Sequence, residues 1–86
     1  MPTICMFFGI VIRMYYDDHA PPHFHAYYGG ESAVIIIESL AVRDGRLPQR
    51  AMAMVLEWAA EHREELLTDW RLAAEHQPLN KIKPLE

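Results

Sequence analysis

A single amphipathic pattern runs through the second half of this sequence, between Pro48 and Pro78. Its apolar positions recur at the three- and four-residue spacing of one helix face: Met52, Val55, Leu56, Ala59, His62, Leu66, Trp70 and Ala73. Pro48 suits the first position of a helix, and Pro78 cannot continue one. The pattern therefore predicts one long helix whose apolar face must be buried against the first half of the chain.

The first half is rich in β-branched and aromatic residues, which predicts strands. In the predicted strand from Phe8 to Tyr16, alternate residues form one apolar face: Phe8, Ile10, Ile12 and Met14. The aspartates and prolines of Asp17–Pro22 predict a loop. Beyond it, His23–Tyr28 and Ser32–Glu38 flank Gly29-Gly30, as the two strands of a hairpin flank its turn.

These elements predict an α+β fold in which a small antiparallel sheet of three to four strands packs against one long amphipathic helix. Leu40–Val42 could form a short fourth strand or only a turn. The C-terminal segment Leu79–Leu85 could add an edge strand, because Lys and Pro are tolerated at a sheet edge. A chain of 86 residues is too short for two cores, so we expect residues 1–86 to form a single domain. We expect Trp70 in the core and Trp58 at the core edge or in an interface.

The composition favours some classes of protein over others. The net charge is −4 and Lys and Arg form no stripe, which disfavours strong nucleic-acid binding by the chain alone. The one cysteine, Cys5, cannot form an internal disulfide and fits a reducing, cytoplasmic compartment. The apolar N-terminal run ends at Arg13, short of a spanning length and without a basic leader, so we interpret it as a strand and expect no membrane association.

An unusual cluster of histidines and aspartates follows the first predicted strand: Asp17, Asp18, His19, His23 and His25. Because side chains alternate along a strand, His23 and His25 are predicted to share one face with Tyr27. With His19 or an aspartate as a third ligand, they could bind a divalent metal such as zinc and leave a coordination position open.

The same residues allow other interpretations. His23 and His25 could act with Asp18 as a metal-free acid–base group, since imidazole titrates near neutral pH and a carboxylate can fix its tautomer. They could also be packing residues, because a His-x-His pair alone is a weak metal signal. His62, on the apolar helix face, could close over the cluster as a further metal ligand, although a core-edge histidine with one hydrogen bond is the more common case.

The stretch Asp18–His25, which reads Asp-His-Ala-Pro-Pro-His-Phe-His, resembles the bacterial domain-of-unknown-function 4160 family. Motifs similar to that family's extend along nearly the whole chain: Met1–Ile4, Phe8-Gly9-Ile10, Met14-Tyr15, Gly45–Arg50, Glu57-Trp58, His62, Glu65-Leu66 and Ile82–Leu85. Asp69 departs from the Asn associated with its position, and Cys5 lies where a small polar or basic residue is more usual. Neither departure affects the histidines.

The resemblance implies a short bacterial protein without an assigned activity. Members of that family are often encoded beside a small protein of the domain-of-unknown-function 2442 family, an arrangement similar to a toxin–antitoxin or other two-component module. The leading expectation is therefore an interaction module, one half of a toxin–antitoxin-like or regulatory pair, whose partner is such a protein. Self-association into a homo-oligomer is also left open.

The alternative expectation is a small hydrolase that acts on a phosphodiester, as a nuclease does. In that case His23, His25 and Asp18, helped by His62, would bind a metal or act as acid and base.

Overall fold

The computed structural model describes residues 2–86, which form five strands followed by two helices. The elements are β1 (Thr3–Phe7), β2 (Ile10–Arg13), β3 (His23–Tyr28), β4 (Glu31–Ile36), β5 (Val42–Gly45), α1 (Gln49–Glu61) and α2 (Arg63–Ala74). Consecutive strands pair antiparallel in the order β1-β2-β3-β4-β5. The predicted α+β class is confirmed, whereas the prediction of three to four strands and one helix is wrong in number.

The extra strand arises from a tight turn at Phe8-Gly9, which divides the N-terminal apolar run. Phe8 and Gly9 have φ angles of 50° and 80°, the left-handed values that a two-residue type I′ hairpin turn requires. Phe7 therefore pairs with Ile10 across the turn, and Phe8 is 62% exposed instead of facing the core. The sequence pattern hid this turn because Asn or Asp usually takes the position that Phe8 occupies.

The fourth predicted strand, Leu40–Val42, is displaced toward the C-terminus and appears as β5. Leu40 has a φ of 61° and lies in a turn in which its N–H donates to the Ile36 carbonyl at 2.8 Å. At the end of β5, Gly45 has a φ of 72°, and a Cβ at this position would lie 2.2 Å from a backbone carbonyl oxygen of β4. The close approach of the two strands there therefore requires glycine.

The long helical pattern is divided at His62. This residue has φ −123° and ψ 26°, and its N–H donates to the carbonyls of Trp58 and Ala59 at 3.1 and 3.2 Å, which ends α1. The Leu66 N–H then donates to the His62 carbonyl at 2.9 Å, so that α2 begins at once. Periodicity could not reveal the break, because Ala59 and Leu66 are about two turns apart and both stay fully buried.

Both helices pack on one face of the sheet, and Trp58 of α1 lies at the centre of the resulting core. Its ring is fully buried, with centroid distances of 5.6 Å to Phe7 and 5.9 Å to Phe24. The indole N–H donates to the Lys83 carbonyl at 2.8 Å, which satisfies the one polar group of the side chain. The core therefore includes contacts from the strands, from α1 and from the C-terminal segment.

Trp70 of α2 is only half-buried and lies at the end of β3, with its ring centroid 5.1 Å from that of His23. The predicted roles of the two tryptophans are therefore wrong: Trp58 is the core residue, and Trp70 is the residue at the core edge. Within α2 the buried positions are Leu66, Asp69 and Ala73, so Trp70 lies beside the buried row, whereas Trp58 belongs to the buried row of α1.

The C-terminal segment Leu79–Leu85 forms no strand, so the predicted edge strand is wrong. It nevertheless lies along β1: the Ile82 N–H donates to the Ile4 carbonyl at 2.9 Å, and Ile82 is buried. The Lys81 ammonium donates to the Thr3 carbonyl at 2.6 Å. The segment thus covers part of the β1 edge through isolated contacts rather than a ladder.

Asp69 of α2 is a fully buried carboxyl group. Its Oδ1 accepts the Asn80 N–H at 2.9 Å, but its Oδ2 has no hydrogen-bond partner among residues 2–86. Burial raises the pKa of Asp69, the Asn80 N–H opposes this, and the charge of Glu65 adds to the rise. Because the pKa of Asp69 is higher in the folded state than in the unfolded state, protonation of this carboxyl favours folding at low pH. That contribution to stability is lost as pH rises from the unfolded pKa of about 4 through the folded pKa.

Replacing Asp69 with Asn is expected to raise the free energy of unfolding by about 1 kcal/mol at pH 7, because it removes the charge of a buried carboxyl whose Oδ2 has no hydrogen-bond partner among residues 2–86. The gain should shrink at pH 4.5, where the carboxyl of the wild type is more protonated. Urea unfolding at both pH values measures the two differences, and Glu64→Gln, an exposed change in the same helix, is the control. A variant that is less stable than the wild type at pH 7 would contradict this account.

The other face of the sheet is not covered by either helix except at His23, whose ring contacts Trp70 of α2. One cross-strand row on this face runs through all five strands: Thr3, Arg13, His25, Val34 and Asp44. A neighbouring row contains Met6, Val11, Tyr27 and Ser32. We call this surface the open face. Within residues 2–86, neither helix is long and apolar enough to cross a membrane.

Candidate metal centre

Three polar side chains meet where the Asp17–Pro22 loop enters β3. The Asp18 Oδ2 lies 2.9 Å from the His23 Nε2 and 3.3 Å from the His25 Nε2. One ligand atom from each residue lies within 4.8 Å of the others. The His23 side chain is 4% exposed, whereas those of His25 and Asp18 are 22% and 25% exposed. The cluster therefore has a buried end at His23 and an accessible end at His25.

Strand geometry positions the two histidines. Because side chains alternate along β3, Phe24 and Ala26 are buried in the core while His23 and His25 point to the other face. Their ring centroids are 5.3 Å apart. The alternation read from the sequence thus brings both imidazoles to one place.

The loop that carries Asp18 is attached to the rest of the chain at its start. The Asp18 Oδ1 accepts the His19 N–H at 2.9 Å, which leaves Oδ2 directed at the histidines. On the preceding residues, the Tyr16 ring stacks on the His76 ring and the Asp17 carboxylate lies 3.0 Å from the His76 Nε2. These contacts attach the loop to the segment after α2 and hold Asp18 in register with β3.

The hydrogen bonds of His23 indicate that a cation binds between this residue and Asp18. Its Nδ1 lies 2.8 Å from the Pro21 carbonyl oxygen, which can only accept, so Nδ1 carries the hydrogen. A neutral imidazole in this tautomer has a lone pair at Nε2, and that lone pair faces a carboxylate oxygen of Asp18 at 2.9 Å. Two lone pairs at this distance repel each other unless a cation, either a proton or a metal ion, is bound between them. A backbone carbonyl that holds the distal ring N–H is also the usual second partner of a metal-bound histidine.

The charge of Asp18 fits either cation. Burial raises the pKa of Asp18, but the His19 N–H and the hydrogen bonds from His25 and His23 outweigh it, and the net pKa is lowered. Asp18 is therefore a carboxylate at neutral pH, which is the form that accepts hydrogen bonds and binds metals.

The surroundings of His25 are aromatic and basic. The Tyr15 ring meets the His25 ring edge-on with a centroid distance of 4.6 Å, and Tyr27 stacks beside it at 6.4 Å. The two tyrosine hydroxyls are hydrogen-bonded to each other. Burial, followed by the Tyr15 contact, raises the pKa of Tyr27 to about 12. Arg13 lies over the Tyr27 ring at 5.1 Å and is the direct cross-strand partner of His25.

Sequence reasoning missed Arg13 and Tyr15 as part of this site. It placed Tyr27 on the histidine face, and period-two alternation from Arg13 would also have selected Tyr15. What it lacked was the register between β2 and β3, which pairs Arg13 with His25 and depends on the hidden turn at Phe8-Gly9.

Two of the predicted metal ligands lie apart from the three clustered side chains. His19 is exposed, and its backbone N–H donates to the Asp18 carboxylate. His62 lies at the junction of the helices, where its ring packs on Trp58 and its Nδ1 donates to the Glu65 carboxylate. The structure therefore does not bring His62 over the cluster. His62 is instead a core-edge histidine with one side-chain hydrogen bond, which was the alternative interpretation of the sequence.

A shallow surface groove of about 230 Å³ opens beside the cluster. It is lined by Asp18, His19, His23, Val34, Arg43 and Asp44. A small ligand could therefore approach the histidines from the β5 side of the open face.

Comparison with known proteins identifies one family. The family described as "Domain of unknown function (DUF4160)" matches residues 9–71 of the 86 residues, a range that contains Asp18, both clustered histidines and most of α2. No curated protein and no solved structure matches the chain. Because the family match spans most of the sequence, this chain belongs to the DUF4160 family.

Proposed function

We propose that this chain is a small interaction module, one half of a toxin–antitoxin-like or regulatory pair, in which Asp18, His23 and His25 bind a divalent metal such as zinc. The observation that carries the metal site is the hydrogen bond from His23 Nδ1–H to the Pro21 carbonyl, since in the neutral ring it leaves the Nε2 lone pair facing the Asp18 carboxylate, where a cation must bind. Two imidazoles and one carboxylate are a ligand set that zinc and other divalent ions accept.

Exposed apolar side chains support the role of an interaction module. Met6 of β1 is 65% exposed, and Phe8 in the adjoining turn is also mostly exposed, so the β1–β2 hairpin presents two large apolar groups to solvent. Neighbouring exposed apolar groups are a common feature of protein-binding surfaces. The partner that the family resemblance suggests is a small protein similar to the domain-of-unknown-function 2442 family.

Co-expression with such a neighbouring protein tests the partnership. We expect the two chains to co-elute as one complex in size-exclusion chromatography, and we expect Phe8→Ser to weaken the complex at least about tenfold, the loss of about 1.4 kcal/mol of apolar contact. Val42→Ser is the matched control, because Val42 is an exposed apolar residue on β5 at the opposite edge of the sheet. Separate elution of the two wild-type chains would contradict the proposal.

The second candidate function is a small phosphodiester hydrolase. The accessible end at His25 favours it, because a metal held by only three protein ligands keeps a coordination position for substrate or water. A nuclease of this kind should arrest growth when the chain is expressed alone, and His25→Ala should remove the arrest. Growth arrest that His25→Ala leaves unchanged, or normal growth together with complex formation, would favour the interaction module.

A further inference from the structure

We propose that the open face holds a phosphate-group site between Arg13 and the cation bound by Asp18, His23 and His25. This inference rests on the proposed metal site and adds the chemical class of ligand that the site takes. In this site, the Arg13 guanidinium is the group that makes the ligand an oxyanion.

Arg13 is held in place but not neutralised. Its Nε–H donates to the Thr3 hydroxyl at 3.3 Å, and its guanidinium carbon lies 5.1 Å from the Tyr27 ring centre. In the part of the chain that the structure describes, no carboxylate lies within 4.0 Å of this guanidinium, in contrast to Arg46, which is paired with Glu31. The terminal amino groups of Arg13 therefore remain available to a ligand.

The position of Arg13 makes an anion the fitting ligand. Arg13 and His25 are directly opposite on β2 and β3, where cross-strand side chains on one face are neighbours. Two neutral imidazoles and one carboxylate leave a divalent ion with a net charge of about +1. Because Arg13 is the cross-strand neighbour of His25, its charge is repelled by such a centre unless an anion is bound between them.

The remaining groups of the open face suit a phosphate oxyanion. The planar guanidinium fork matches two oxygens of a phosphate group, whereas a free metal position accepts a third. The Tyr15 and Tyr27 rings lie beside His25, and because their two hydroxyls share one hydrogen bond, one O–H remains free to donate to a ligand. Donors and positive charge thus meet at one place on the sheet.

The test is a titration of the zinc-loaded protein with inorganic phosphate at constant ionic strength, followed by calorimetry. We expect Arg13→Gln to weaken phosphate binding at least tenfold and Arg13→Lys to weaken it less, because Lys keeps the charge but loses the fork. Arg46→Gln, which removes an exposed arginine elsewhere, should leave the phosphate affinity within about twofold. Acetate should bind the wild type more weakly than phosphate does.

Zinc affinity in the absence of phosphate is measured on the same variants and separates the two proposals. We expect Arg13→Gln to bind zinc as tightly as the wild type or more tightly, because it removes a neighbouring positive charge. Zinc binding with no phosphate binding, or with phosphate binding that Arg13→Gln leaves unchanged, would overturn this inference alone. An absence of zinc binding in the folded wild type would overturn the metal site and, with it, this inference.

Discussion

Replacing Trp58 with alanine is expected to lower the free energy of unfolding by about 3–5 kcal/mol. The side chain is fully buried between Phe7 and Phe24, so its removal loses transfer free energy and leaves a cavity. It also leaves the Lys83 carbonyl without its donor. Since the free energy of unfolding of a domain of this size is only about 5–10 kcal/mol, the variant should lose a large fraction of its stability. Urea unfolding followed by far-UV circular dichroism measures the change.

Two further variants identify the source of this loss. Trp58→Phe keeps an aromatic ring in the core but removes the indole N–H, and it should cost roughly 1–2 kcal/mol. Trp70→Ala is the matched control, because Trp70 is only half-buried, and its cost should be clearly smaller than that of Trp58→Ala. An equal or larger loss for Trp70→Ala would contradict the core described above and would restore the assignment made from the sequence.

Zinc is expected to stabilise the wild-type protein strongly. At a free concentration of about 100 times the dissociation constant, a ligand that binds only the folded state adds about 2.7 kcal/mol to the free energy of unfolding. For a domain of this size, that gain corresponds to a rise in melting temperature of roughly 10–20 °C. His25→Ala should abolish the rise, whereas His62→Ala should keep it, because His62 lies away from the cluster. Thermal melts with and without zinc make the comparison.

The pH dependence of this stabilisation identifies the ligands. Imidazole must be neutral to bind a metal, so the gain should fade below about pH 6. Asp18 does not cause this fading: its pKa is lowered in the fold, so its own contribution to stability is complete above its unfolded value of about 4 and is lost only as pH falls through the folded value. A zinc effect that persists unchanged at pH 5 would argue against histidine ligands.

Sequence patterns predicted the class of the fold because each buried face has a regular period. The period of two placed Ile10, Ile12 and Phe24 correctly, and the helical period placed Val55 and Leu66. Patterns failed where one residue changes the backbone without changing burial. Phe8 turns the chain although it is apolar, and His62 interrupts the helix although the residues on either side stay in phase.

The candidate site was predictable in part for the same reason. Alternation along β3 is local, so the common direction of His23 and His25 follows from the sequence alone, and the short loop keeps Asp18 near them. The placement of Arg13 depends on strand register, and that of His62 depends on the helix break, neither of which is a local property. The tautomer of His23 depends on a single backbone carbonyl, that of Pro21, and follows only from the three-dimensional structure.

A metal ion bound between the His23 Nε2 and the Asp18 carboxylate is expected to remove the unfavourable contact between these two groups. The most direct measurement is anomalous diffraction at the zinc absorption edge from crystals soaked in zinc. We predict one strong peak per chain at about 2.0–2.2 Å from the Nε2 atoms of His23 and His25 and from an Asp18 oxygen. The His23 Nδ1–H should still donate its hydrogen bond to the Pro21 carbonyl. A soaked crystal with no peak at this cluster, or with zinc bound only by other side chains such as those of Asp17 and His76, would contradict the claim.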